Sequence, residues 1–127
     1  MGVPFPTRSV RVLAPDELLF EEGAEGHAMY VVQSGAVTVS RGRGAELRPV
    51  ASLGEGALFG ELALLDEAPR SATVTAGPAG ARVVEIDHAL FIYLVGQQPA
   101  FALLVMQSMA RRLRSKFEAE EAVGVTA

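Results

Sequence analysis

Residues 58–74 read LFGELALLDEAPRSATV, and this is the most informative stretch of the sequence. Gly60 lets the backbone turn tightly and lets another group approach it closely. The good helix formers at 61–65 predict a short helix, whose first N–H groups are free to bind an anion. Pro69 ends the segment, and Arg70 adds a planar cation that suits phosphate oxygens. The pattern predicts an anion site.

One acidic residue stands out in this anion site. Glu61 would repel a bound phosphate, so its carboxylate makes chemical sense only if it has a second task. It can accept a hydrogen bond from a sugar hydroxyl while it pairs with the guanidinium of Arg70. Together with the hydroxyl and backbone donor of Ser71, the stretch indicates a small ligand that carries both a phosphate and a sugar. The simpler interpretation is a structural ion pair between Glu61 and Arg70.

The segments on either side of this stretch differ in character. Residues 10–87 hold short, β-branched apolar runs separated by glycines, which is typical of an all-β sandwich or barrel. The spacing then becomes helical, with a short helix over 88–97 that Asp87 caps and a longer helix that begins near Pro99. Apolar residues at helical spacing predict one stripe on the longer helix; they are Ala102, Val105, Met106, Met109, Leu113 and Phe117.

Length and composition fit a single domain over residues 1–127 and exclude several classes of protein. Half of the residues are hydrophobic, and the formal net charge of −4 argues against an electrostatically driven nucleic-acid binder. The sequence has no cysteine, which excludes disulfide scaffolds and thiolate zinc sites. No targeting signal or membrane-spanning run is visible, so we expect a cytoplasmic protein that binds neither nucleic acid nor membrane.

The motif FGELAL at 59–64, followed by PRSA at 69–72, resembles the phosphate-binding cassette of cyclic nucleotide-binding domains. Residues 19–23 and 29–37 are similar to the first strands of that family. MARRL at 109–113 is similar to the long helix that follows the roll in catabolite-activator-type proteins. The resemblance implies a mainly β fold, a double-stranded β-helix or jelly-roll (β-roll) of about eight strands, with a short helix in the cassette.

The same resemblance implies how the chain is divided. The β-roll would cover residues 8–87, one or two C-terminal helices would cover 88–122, and residues 123–127 would form a loose tail. The helix-turn-helix of the family's transcription factors is not expected in this sequence.

The resemblance also implies roles for individual residues. Glu61 would take the ribose 2′-hydroxyl, and Arg70 would take the cyclic phosphate together with backbone N–H groups. The implied ligand-binding set is Gly60, Glu61, Leu62, Ala63, Arg70, Ser71 and Ala72. Apolar groups that stand where family members line the base are Val39, Val50 and Leu53. Lys116 and Phe117 stand where activator-type proteins carry hydroxyl residues on the helix that caps the base.

We therefore expect a non-catalytic sensor of cAMP or cGMP, without cofactor or metal, whose terminal helices pass ligand occupancy to an effector protein. A homodimer through residues 99–117 is a further expectation. One alternative is an interaction or scaffold module with a vestigial pocket, which the intact Glu61 and Arg70 speak against. Another is a metal-dependent cupin-type enzyme, which needs several inward histidines, whereas this sequence has only His27 and His88.

Overall fold

The computed structural model describes residues 9–122, with side chains through residue 118. The expected loose tail at 123–127 lies outside this range, as do residues 1–8. The strands of the described chain are β1 (Val10–Leu13), β2 (Leu18–Phe20), β3 (Met29–Arg41), β4 (Arg48–Leu53), β5 (Leu58–Phe59) and β6 (Thr73–Ile86). The α-helices are α1 (Glu61–Asp66), α2 (His88–Gln97) and α3 (Ala100–Ala122), and a short 3-10 helix spans Gly44–Glu46.

Strands β3 and β6 form the centre of the roll, because they are the longest strands and pair along most of their length. Their antiparallel register runs from Met29 opposite Ile86 to Ser40 opposite Thr73. Strand β1 lies beside β6 and β4 lies beside β3, while β2 pairs with β6 and β5 pairs with β3. This confirms the predicted mainly β roll with a short helix, α1, between its last strands.

The structure has fewer strands than the eight expected, because β3 and β6 each join two runs that look separate in the sequence. Gly35 in β3 and Gly80 in β6 have positive φ values of 76° and 81°, and the β3–β6 register shifts around Gly35. A Cβ on Gly35 would lie 2.5 Å from the carbonyl oxygen of Gly80. The glycines therefore let two long strands bend against each other without interrupting them.

Two apolar clusters hold the fold together. The first fills the roll, where the Tyr30 and Phe59 rings stack with their centroids 5.3 Å apart and Phe20 lies 5.8 Å from Tyr30. The second joins Leu64 of α1 and Phe101 of α3 to the sheet. Because both helices share this cluster, the cassette and the terminal helices rest on one packed support.

The terminal helices begin where the sequence predicts. The Asp87 carboxylate accepts a hydrogen bond from the Leu90 N–H at 2.8 Å, which confirms Asp87 as the N-cap of α2. Helix α3 begins directly after Pro99. Within residues 9–122 no single helix is long and apolar enough to span a membrane, although α2 and α3 taken together have the required length and composition across a 118° bend.

The prediction of one apolar stripe on α3 is wrong, because the helix carries two. Phe101 and Val105 are buried against the sheet, and Met109 packs beside them partly buried. The sheet covers only this face of the helix. Four other large apolar side chains of α3 are more than half exposed: Leu103, Met106, Leu113 and Phe117.

Candidate functional site

A cavity of about 310 Å³ opens between the cassette, β4 and α3. Its size is that of a small-molecule site. Its walls come from segments that lie far apart in the sequence, so the fold and not the local chain creates it. The predicted site residues that the structure brings together in its lining are Val39, Val50, Leu53, Gly60, Leu62, Ala63, Arg70, Ser71 and Ala72.

Arg70 is a buried cation on the wall of this cavity. The residue is 6% exposed, and its Nη1 donates to the carbonyl oxygens of Ala28 at 2.8 Å and Gly60 at 3.2 Å. Its Nε has no partner among the described residues, and no described carboxylate forms an ion pair with it. Burial lowers the pKa of Arg70 from its usual value, and nearby Tyr30 and Glu85 partly oppose this. Arg70 therefore presents a charge that a bound anion can neutralise.

Two aromatic rings and a stretch of glycine backbone hold the Arg70 guanidinium in place. Its central carbon lies 4.1 Å from the ring centroid of Phe20 and 5.6 Å from that of Tyr30. On another side, the backbone of Gly26 comes so close that a Cβ there would lie 2.3 Å from Nε. Residue 26 therefore has to lack a side chain if the guanidinium is to keep this position.

Glu61 begins helix α1 of the cassette, but it is buried and does not line the cavity, and its partner comes from the terminal helix. The residue is 0% exposed, and its Oε1 lies 2.6 Å from Nη1 of Arg112. The expected pair between Glu61 and Arg70 is wrong, because Arg70 turns toward backbone carbonyls and Arg112 supplies the cation instead. Neither carboxylate oxygen accepts a directed hydrogen bond from the described residues. The carboxylate thus keeps acceptor capacity for a hydroxyl group.

The cassette backbone contacts an arginine side chain at each of its two ends. Gly60 has φ 79° and ψ 9°, a left-handed conformation that glycine adopts without strain. A Cβ on Gly60 would lie 2.9 Å from Nη1 of Arg70. At the other end, Nη1 of Arg41 donates to the carbonyl oxygen of Ser71 at 2.8 Å. This bond fixes the segment that follows Arg70.

The two residues expected at the base cap lie outside the cavity. Lys116 lines an adjoining open groove of about 1140 Å³, together with Leu62 and Ser71. Phe117 is 53% exposed and lines neither space. Both residues follow Arg112 by about one helical turn, roughly 6 Å along the axis. The structure therefore does not bring them together with the rest of the predicted site.

Several residues of the site have no clear local signal in the sequence. Phe20 and Gly26 read as strand and turn residues, and nothing near them indicates contact with Arg70. Arg41 ends a strand and reads as part of a solvated turn. Arg112 lies in the MARRL segment, which predicts a helix but does not show that Glu61 is its partner. All four of these contacts join segments distant in sequence, so only the fold reveals them.

A polar cluster connects Tyr30, which lies beside Arg70, to the outer strand β1. The Tyr30 hydroxyl donates to Oε1 of Glu85 at 2.9 Å, and Nη1 of Arg11 donates to the same oxygen at 3.0 Å. Burial, and after it the charge of Glu85, raises the pKa of Tyr30 to about 12. The cluster holds in place the ring of Tyr30, which lies next to Arg70.

The described side chains form no cluster of three or more metal-ligating groups. His27 is exposed and lies 3.2 Å from an equally exposed carboxylate oxygen of Glu25, and His88 is exposed at the start of α2. Neither histidine lines the cavity. The described part of the chain therefore lacks the several inward histidines that the cupin-type alternative needs.

Comparison with known proteins agrees with this geometry. A family model described as the cyclic nucleotide-binding domain matches residues 10–98. The chain belongs to this family. The match covers the roll, the cassette and α2, and it identifies a regulatory ligand-binding domain.

Relatives and solved structures support the same assignment. The cyclic AMP receptor protein of Thermus thermophilus is 37% identical over 97 residues, 76% of this chain and 44% of that protein. The cGMP-dependent protein kinase egl-4 of Caenorhabditis elegans is 35% identical over 80 residues, 61% of this chain and 10% of that protein. The crystal structure of the Thermus thermophilus catabolite activator protein has a TM-score of 0.81 at 32% identity, covering 91% of this chain and 54% of that chain. The match spans less than half the length of the two curated relatives, the receptor protein and the kinase.

Proposed function

We propose that this domain binds cAMP or cGMP in the cavity between the cassette, β4 and α3. The cyclic phosphate contacts Arg70 and the backbone N–H groups of residues 60–63 and 71–72. The ribose 2′-hydroxyl donates to Glu61. Both nucleotides are candidates because one relative is named as a cyclic AMP receptor and another as a cGMP-dependent kinase.

The observation that carries this proposal is the buried guanidinium of Arg70 without an acidic partner. A buried charge that lacks a counterion destabilises a fold by several kcal/mol. The nearby carboxylate of Glu61 is already matched by Arg112. A ligand with one negative charge would therefore complete the charge balance of the site. Each charge-assisted hydrogen bond that it accepts is worth about 1.5–3 kcal/mol.

Apolar side chains beside the phosphate position favour a nucleobase as the rest of the ligand. Val39 and Leu53 are partly buried in the cavity wall, and Val50 is exposed at its edge. Their contact with a base would remove apolar surface from water. Contact of Lys116 or Phe117 with the base requires α3 to move relative to the cavity, since neither lines it.

Helix α3 is the element that we propose transmits occupancy to an effector protein. Arg112 joins α3 to Glu61, which is the proposed acceptor for the ribose. Ligand and helix therefore share one carboxylate, so binding changes the surroundings of the helix contact. In this proposal the domain has no catalysis of its own and needs no cofactor. Its location in the cytoplasm and its lack of nucleic-acid binding stay predictions.

Titration calorimetry with cAMP, cGMP and adenosine tests the proposed ligand. At least one cyclic nucleotide should bind, and adenosine should bind at least about a hundredfold more weakly, because it lacks the phosphate that Arg70 contacts. The bound nucleotide should also raise the melting temperature, because a ligand at a hundred times its Kd adds about 2.7 kcal/mol to the free energy of unfolding. Absence of heat and of a thermal shift with both nucleotides at millimolar concentration would favour the scaffold with a vestigial pocket.

The exposed face of α3 supports the homodimer expected through residues 99–117. Its apolar residues alternate steps of three and four, the spacing of a two-stranded coiled-coil seam: Leu103, Met106, Ala110, Leu113 and Phe117. Analytical ultracentrifugation should show a dimer that Leu113→Lys converts to a monomer. Gln107→Lys, which changes an exposed residue outside the seam, should leave the dimer intact. A wild-type chain that stays monomeric at concentrations of about 10⁻⁴ M would contradict the proposed dimer.

A further inference from the structure

We infer that Phe20 is a positioning residue that holds the guanidinium of Arg70 in its ligand-binding orientation. The contact is a cation–π interaction between the Arg70 guanidinium and the face of the Phe20 ring. This inference rests on the proposed function, because it explains how the proposed phosphate-binding cation is kept in place when no anion is bound.

The Phe20 ring is itself firmly supported. Its centroid lies 5.8 Å from that of Tyr30 and 6.2 Å from that of Phe59, so three rings pack together, and two of them, Phe20 and Phe59, line the cavity. The Tyr30 ring is fixed in turn by the hydrogen bond of its hydroxyl to Glu85. A ring held by two others presents a rigid face to the guanidinium of Arg70, whose central carbon lies 4.1 Å from its centroid.

An aromatic ring suits this task better than a carboxylate would. A carboxylate on Arg70 would occupy N–H donors that an anionic ligand needs, and it would neutralise the charge that attracts the ligand. The ring attracts the cation through its quadrupole and takes up no N–H in the plane of the guanidinium. Only Nη1 of Arg70 donates to the described residues, and Nε stays without a partner. The Phe20 contact thus steadies the cation and leaves donors free for phosphate.

The backbone completes this arrangement from another side. A Cβ on Gly26 would lie 2.3 Å from Nε and 2.5 Å from the central carbon of Arg70. The Phe20 ring and the bare backbone of Gly26 thus both lie close to the guanidinium and limit where it can move. The hydrogen bonds from Nη1 to the carbonyl oxygens of Ala28 and Gly60 then fix the rotation of the guanidinium. Loss of the Phe20 ring removes one of the contacts that hold the guanidinium, while its two hydrogen bonds to backbone carbonyls remain.

The test compares Phe20→Leu with Phe20→Tyr, which keeps the aromatic face, and with Phe91→Leu as a matched control. Phe91 is also partly buried, but it packs against Phe101 in the other apolar cluster. Calorimetry with cAMP and cGMP should show roughly three- to tenfold weaker binding for Phe20→Leu. Phe20→Tyr and Phe91→Leu should stay within about twofold of the wild type. Equal losses in Phe20→Leu and Phe91→Leu, or no loss in Phe20→Leu, would overturn the inference.

A second measurement reports on Arg70 directly. In the ligand-free wild type, the Nε–H proton of Arg70 should resonate upfield of the other arginine Nε–H protons, because it lies in the shielding region of the Phe20 ring. Arg70→Lys removes this resonance and so assigns it. Phe20→Leu should return it downfield, and a resonance at the ordinary arginine position in the wild type would overturn the inference. If the wild type binds neither nucleotide, the proposed function fails, while this resonance still decides whether Phe20 positions Arg70.

Discussion

Arg70 is buried yet has no acidic partner among the described residues, and this combination sets what the cavity can select. An ion pair within the protein would have to be broken before an anion could bind, whereas a guanidinium without an acidic partner needs no such exchange. In the proposed function, the site therefore selects an anion through the charge of this one residue. The resemblance of the cassette to a known motif predicted this residue, but only the structure shows that its charge is unmatched.

Replacing Arg70 with glutamine should weaken cyclic nucleotide binding at least about a hundredfold. The variant keeps a hydrogen-bonding side chain but loses the charge, and two bonds to phosphate are worth about 1.5–3 kcal/mol each. Calorimetry measures the change. Arg82→Gln is the control, since Arg82 is exposed on β6 opposite Val12 and does not line the cavity. Equal affinities of wild type and Arg70→Gln would remove Arg70 from the site.

Gly60 is the second residue whose identity the site depends on. Alanine at this position would have to adopt φ 79°, which costs about 1–2 kcal/mol, and its Cβ would press on Nη1 of Arg70 at 2.9 Å. Gly60→Ala should lower the free energy of unfolding by roughly 2 kcal/mol and also weaken nucleotide binding. Urea denaturation checks the first effect. Gly54→Ala, where a Cβ would meet nothing within 4 Å, should change stability by less than about 0.5 kcal/mol.

At the scale of elements, strands β3 and β6 carry the roll and also a pH-sensitive contact. Tyr30 of β3 stands directly opposite Glu85 of β6, and its hydroxyl donates to that carboxylate. Burial raises the pKa of Tyr30 to about 12, so the folded state favours the neutral phenol more than the unfolded state does. The resulting stability is complete below about pH 10, the usual pKa of tyrosine, and is lost as the pH rises toward 12.

The unfolding free energy of the wild type should therefore fall more steeply between pH 9 and 12 than that of Tyr30→Phe, by a total of roughly 2 kcal/mol. Denaturation at several pH values checks this difference in slope. The variant loses the hydrogen bond to Glu85 at every pH, so the comparison concerns the slope and not the absolute stability. Parallel plots of unfolding free energy against pH for the two proteins would show that Tyr30 has the same pKa in the folded and the unfolded state, which would contradict this prediction.

Elements that depend on neighbouring residues were predictable from the sequence. The Asp87 cap and its acceptor contact with Leu90 lie within one turn, and the cassette is one continuous stretch. Elements that depend on packing were not. The single stripe expected on α3 is divided because the sheet covers only the Phe101 and Val105 face, and helical spacing alone does not show which face meets a partner. Likewise, Gly35 looked like a boundary between strands but allows one strand to bend.

Across the whole molecule, one ion pair joins the cassette to the terminal helix, in addition to the packing of Leu64 in the second apolar cluster. Glu61 lies in the cassette and Arg112 lies in the second half of α3, so no local pattern could pair them. The first part of α3 rests on the sheet through Phe101 and Val105. Its residues 110–118, which include Arg112, are exposed. The position of the outer part of α3 relative to the cavity therefore depends on what the Glu61 carboxylate contacts.

Arg112→Gln should loosen the outer part of α3 and weaken its response to ligand. It removes the cation beside a fully buried carboxylate, so amide hydrogen exchange in residues 106–118 should rise in the ligand-free chain. In the wild type, saturating nucleotide should change exchange in this segment, because the proposed ribose contact and Arg112 share the carboxylate of Glu61. In the variant that change should largely disappear.

Arg114→Gln is the matched control, because Arg114 lies on the same exposed segment and lines neither the cavity nor the adjoining groove. Its exchange should match the wild type with and without nucleotide. If Arg112→Gln bound nucleotide and its α3 still responded as fully as the wild type, occupancy would have to reach the helix by another route. The shared packing of Leu64 and Phe101 in the second apolar cluster would then be the remaining physical connection between cassette and helix.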